Sequence, residues 1–183
     1  LLQHGGPDGR YLARGEMWAL GATRLAVTDP TGSAQPYRLG DQIRVVFNGE
    51  IYNHHDLRKE LEGFGYKFPD RCGGSILPAL YHRYGQDFVE HLDGMYGIAV
   101  LDLRGLPTLI LATDEAGMKP IYYHRAGGQM FFSSEIGALR SLADIGGHRD
   151  INGSTPTSAR GLRSGDERCS PTSMFCLQRP PQW

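Results

Sequence analysis

The chain has 183 residues, 40% hydrophobic and 10% aromatic, enough to close one domain around a real core. Its 19 Lys and Arg against 20 Asp and Glu leave a net charge of -1, which removes the electrostatic case for a nucleic-acid or anionic-membrane partner. No apolar run is long enough to span a bilayer, and Cys72, Cys169 and Cys176 show no paired metal spacing, so a reducing, cytoplasmic setting without a metal site is expected.

In chain order, Gln3 to Gly9 is turn-rich and reads as a loop. Trp18 to Leu20 and Arg24 to Val27 read as two short apolar runs joined through Gly21-Ala22-Thr23, and Asp29-Pro30-Thr31-Gly32 closes the second with a turn. Arg24 is a lone cation in a strand-like segment. It reads either as a strand-face charge or as a fork for a carboxylate.

Val45 to Phe47 then breaks abruptly into Asn48-Gly49-Glu50, which puts three polar groups at the expected end of a strand. Glycine allows close backbone approach to a ligand, and the Asn48 amide can donate beside the Gly49 N–H. Two neutral donors suit a developing oxyanion, and the Glu50 carboxylate suits a substrate ammonium. The same residues also read as an Asn-Gly hairpin turn.

Asn53 is the expected N-cap of a helix that carries Leu57 and Leu61 and stops at Gly63. Phe64, Tyr66 and Phe68 alternate as a strand should. Ile76 to Tyr84 carries a helical stripe ended by Gly85, and Asp87 to His91 reads as a short helix. Met95 to Leu101 and Thr108 to Ala112 read as a buried hairpin. Asp114 and Lys119 are placed to shape the turn before Ile121 to Tyr123. Met130 to Phe132 makes a last strand, and Ser134-Glu135 caps a helix with Ile136, Leu139 and Leu142. Paired strands with helices between the groups give an α+β fold with largely antiparallel sheets over residues 1–151. Residues 152–183, rich in Ser, Thr, Pro, Gly and Arg, read as a disordered or aberrant tail.

His4-Gly5-Gly6-Pro7-Asp8-Gly9, Thr23 to Val27, Asn48 to Asn53, Leu92 to Tyr96, Asp114 to Tyr123 and Phe132 to Ile136, in this order, resemble the glutaminase domain of glutamine-hydrolysing asparagine synthetases. These are class II, N-terminal nucleophile amidotransferases. The resemblance implies a four-layer αββα sandwich that hydrolyses glutamine to glutamate and ammonia. It also implies Arg24 on the glutamine α-carboxylate, Glu50 on the α-ammonium, and Asn48 and Gly49 as the oxyanion hole. It further implies a C-terminal synthetase domain on the same chain, where ATP and Mg would act to amidate aspartate or a related acid, and it allows a homodimer.

The sequence departs from that pattern in three places. The family's nucleophile is a cysteine at the mature N-terminus, whereas the motif here starts almost at Leu1, so the expectation is a stretch from inside a longer protein, inactive as it stands. Gly73 aligns with the acid that shares the α-ammonium, and Gly5 stands where the family commonly has Arg. A non-catalytic glutamine-binding or scaffolding domain is the alternative. A remote one makes Cys72 a substitute nucleophile near His54, His55 or His82.

Overall fold

A computed structural model describes residue 6 and residues 8–24, 34–126, 128–142 and 175–177. Strands β1 (Gly9–Arg14) and β2 (Ala19–Arg24) pair antiparallel. The chain continues through β3 (Tyr37–Leu39), β4 (Ile43–Ile51), α1 (His54–Gly63), α2 (Leu77–Tyr84), β5 (Gly94–Asp102) and β6 (Thr108–Thr113). After β7 (Tyr122–Ala126) and β8 (Gln129–Ser133) come α3 (Ile136–Leu142) and β9 (Phe175–Leu177).

The central sheet has the order β3-β4-β5-β6-β9, every pair antiparallel. One face carries Ile43, Val45 and Ile51 of β4 against Leu57 and Leu61 of α1, Leu77 and Leu80 of α2, and Phe88. Each such side chain contributes about 1.5–3 kcal/mol on full burial, so this face is the main source of stability. The other face packs Ala99 and Leu111 against Ile121, Tyr123 and Phe132. The β7–β8 hairpin therefore forms a second layer, on which α3 packs. The result is the expected α, β, β, α order of layers.

Several local expectations change. Gly21-Ala22-Thr23 is not a joint: it lies inside β2, held extended by pairing with Leu12, Tyr11 and Arg10. Leu25 to Val27 lie outside the described residues. Helix α1 does not stop because of Gly63. Gly65, at φ +90°, donates to Glu62 O while Tyr66 N donates to Leu61 O, the paired bonds of a left-handed C-terminal cap.

Phe64, Tyr66 and Phe68 form no strand. Tyr66 and Phe68 pack on the helical side of the core, and Phe64 lies 4.3 Å under the Arg83 guanidinium, so their alternation reflects one-sided packing rather than pairing. Asn53 sits at the N-cap but does not cap with its side chain. Its amide instead donates to His91 O and accepts from Asp93 N, which ties the start of α1 to the turn before β5.

Before α3 it is Ser133 Oγ, not Ser134, that accepts from Glu135 N. Of the segment read as a tail, the described residues are Phe175–Leu177. They pair with Leu111, Ile110 and Leu109 of β6, an apolar triplet too short to register as a periodic pattern.

Candidate active site

Asn48, Gly49 and Glu50 do not end a strand or turn a hairpin. They lie within β4, opposite Gly97, Tyr96 and Met95 of β5. Polar residues continue the strand because its outer end is open: Asn48 and Glu50 are exposed on either side of a half-buried Gly49. Gly49 has φ +142°, and a Cβ there would stand 2.0 Å from Met95 O, so only glycine lets the two backbones approach.

The direction of the Gly49 N–H follows from the strand period. Among the described residues the Phe47 N–H meets no strand acceptor on the β3 side; it donates to Gln35 Oε1 at 2.8 Å, and Gln35 Nε2 donates to Phe47 O at 2.8 Å. The Gln35 amide thus stands in for a strand where the β3 pairing, which covers Ile43 to Val45, has run out. Two residues on, the Gly49 N–H turns to the same edge. Among the described residues no strand pairs with that edge at Gly49.

Arg24 closes β2, which lies against β4. Asp8 N donates to Arg24 O at 3.0 Å, and a Cβ on Gly6 would be 2.6 Å from Arg24 N, so Gly6 and Asp8 lie directly against this residue. Arg24 also acts electrostatically on buried Tyr37. The phenol of Tyr37 is pushed well above its ordinary range by burial first and by Cys72 and Asp70 next, with Arg24 opposing.

The Cys72 side chain is a hydrogen-bond partner of Tyr37, which is no base for a thiol. His82 is engaged through Nδ1 with the Tyr66 hydroxyl at 2.7 Å. His54, the first residue of α1, borders Gly73: a Cβ on Gly73 would meet the imidazole at 3.5 Å, ordinary van der Waals contact. The imidazole is held below its usual pKa by burial, then by His55 and Arg58, while Glu50 pulls the other way. Gly73 thus borders His54, on which Glu50 also acts, and at Gly73 the loop offers backbone instead of a carboxylate. Among the described residues no group of three or more His, Cys, Asp or Glu is placed to hold a metal.

Residues 1–156 match the family described as glutamine amidotransferase domain. The chain belongs to that family. It is 36% identical over 156 residues to asparagine synthetase [glutamine-hydrolyzing] 3 of Bacillus subtilis, covering 83% of this chain and 25% of that protein. To asparagine synthetase [glutamine-hydrolyzing] of Zea mays it is 39% identical over 140 residues, covering 75% of this chain and 23% of the relative. The chain therefore spans about a quarter of the length of these relatives. Among solved structures, the glutamine phosphoribosylpyrophosphate amidotransferase of B. subtilis, complexed with ADP and GMP, shares the fold at a TM-score of 0.56 and 23% identity, over 68% of this chain and 29% of that one.

Within this amidotransferase domain, the structure brings Arg24 on β2 beside the β4 strand that carries Asn48, Gly49 and Glu50. Two supporting residues, Gln35 and Gly74, carry no signal in the sequence. Gln35 extends the β4 edge, and Gly74 lies so close under Tyr37 and Phe47 that a Cβ would be 2.5 Å from the Tyr37 ring. Asp114, expected with Lys119 to shape the turn before β7, does so through its buried carboxylate, which accepts from the backbone N–H groups of Tyr96, Met118 and Lys119. No spacing in sequence announces contacts of this kind.

Proposed function

We propose that this domain binds glutamine and stabilises the oxyanion formed when a thiol attacks its side-chain amide, releasing ammonia for amidation of aspartate or a related acid elsewhere on a longer enzyme. The observation that carries this reading is Gly49, whose N–H turns to an edge of β4 that no strand pairs with there among the described residues, beside the exposed Asn48 amide. Donors fixed in a ladder need no reorganisation as charge develops, which is where oxyanion stabilisation gets its size.

Arg24 would hold the α-carboxylate by a two-point fork and Glu50 the α-ammonium. The nucleophile is a thiol other than Cys72, which is buried against Tyr37. As the tetrahedral intermediate collapses, the carbon–nitrogen bond breaks and the amide nitrogen takes a proton to leave as ammonia. Water then cleaves the thioester to glutamate. ATP and Mg would serve a synthetase portion of the same enzyme, in the cytoplasm.

Gly73 favours a second reading, glutamine binding without turnover, since it puts no carboxylate at the loop position that would share the ammonium with Glu50. Calorimetry with glutamine and a glutaminase assay on a chain extended to an N-terminal cysteine separate the two. Binding that falls about 10- to 100-fold in Arg24→Ala supports the site, because a charge-assisted bond is lost. Turnover by the extended chain supports the enzyme, and binding without turnover supports the second reading. A folded chain that ignores glutamine sinks both.

A further inference from the structure

Arg58 lies one helical turn beyond His54, so the two side chains share a face of α1. That face looks onto the loop between Phe68 and Ile76. Arg58 Nη1 donates to Asp70 O at 2.8 Å, and Nη2 donates to Cys72 O and to Ser75 Oγ, each at 3.0 Å. The guanidinium also stacks 4.7 Å from the Phe68 ring centroid. Within the loop, Cys72 N donates to Asp70 Oδ1, and Ser75 N and Oγ donate to Cys72 O.

We infer that Arg58 is a positioning residue that fixes the loop backbone on the amine side of the glutamine site, and so sets selectivity for an α-amino substrate. The inference rests on the proposed glutamine site. Its logic is geometric. Helix α1 follows β4 almost directly, so Arg58 moves with Glu50, while its fork grips both sides of Gly73. Because Gly73 brings no side chain, what the loop offers an ammonium at that position is backbone, and its placement depends on what holds the backbone. Lysine keeps the charge but is a point donor that cannot span three acceptors and a ring face.

The test uses Arg58→Lys, with Ser75→Ala as a milder second variant, each checked for folding by thermal unfolding. Two ligands are titrated: glutamine, and glutaramic acid, which is glutamine without its α-amine. Alkylation of Cys72 by iodoacetamide is followed by peptide mass spectrometry. Arg58→Lys is expected to weaken glutamine about tenfold, leave glutaramic acid within about twofold, and expose Cys72 to alkylation about tenfold faster. Ser75→Ala should move glutamine and Cys72 in the same direction by less. Unchanged glutamine affinity, or equal weakening of both ligands, overturns the assignment, since a merely structural role would not distinguish the amine. If the wild-type chain binds neither ligand, the glutamine reading fails separately. Cys72 alkylation then decides alone, and an unchanged rate in Arg58→Lys overturns the positioning role.

Discussion

Gly49 and Gly94 stand diagonally across the β4–β5 ladder, each leaving room for a carbonyl of the opposite strand. A Cβ on Gly49 would lie 2.0 Å from Met95 O, and one on Gly94 would lie 2.2 Å from Glu50 O. Both residues have positive φ, +142° and +159°. The pair draws the strands together where the candidate oxyanion donors sit, so packing and chemistry rest on the same two residues.

Gly49→Ala should therefore destabilise the fold by about 2–4 kcal/mol, the clash and the backbone strain acting together. At this size that lowers the melting temperature by roughly 4–16 °C. Gly94→Ala should behave alike. A loss under about 0.5 kcal/mol for either, read from urea unfolding, would mean that the ladder relaxes around the methyl.

Asn48 is exposed, and its side chain should matter to chemistry rather than folding. In a chain extended to an N-terminal cysteine, Asn48→Ala should cut glutaminase turnover by about two to three orders of magnitude with little change in melting temperature. Unchanged turnover would remove Asn48 from the oxyanion hole.

Gln35 mimics a strand with its side chain, so its isosteres are informative. Gln35→Glu keeps the shape but turns the donor that meets Phe47 O into an acceptor, and should destabilise by about 1–3 kcal/mol. Gln35→Ala leaves both Phe47 groups to water and should cost less. The two are ranked by chemical denaturation, and Ala worse than Glu would refute the account.

Asp102 supplies an acid limb to stability. Burial alone would raise its carboxyl, but the Arg104 side chain and backbone N–H and the Tyr81 hydroxyl outweigh it and hold the pKa at about 2, from 3.8. A folded pKa below the unfolded one means the stabilisation is complete above about pH 4 and is lost as pH falls toward 2. Asp102→Asn should flatten the pH dependence of stability across that window. An unchanged acid limb would show that the Arg104 contact does not persist in solution.

What could be read from the sequence was whatever local period and punctuation encode. The stripe ending at Gly85 became α2, and the runs around Arg104-Gly105 became the β5–β6 hairpin. Asn48 to Glu50 drew attention because polarity interrupts an apolar run, yet the strand carries on through them. Its partner on β5 lies more than forty residues away and cannot be seen locally. Gly63 and Gly65 look alike in sequence, and only the bonds back to Glu62 and Leu61 show which one ends α1. Arg58 was invisible for the same reason. It sits on a helix surface like any other arginine, and its acceptors are brought to it by the fold.

The space over Gly73 has an evolutionary side. A side chain begun there meets nothing closer than the face of His54 at 3.5 Å, so the backbone already accommodates one. Every glycine codon lies a single base from a codon for aspartate or glutamate. The missing charge at position 73 is therefore separated from its restoration by one mutation, with room for the first carbon of the new side chain. Lineages of this domain can cross between the two states cheaply, in either direction, while the rest of the site stays in place.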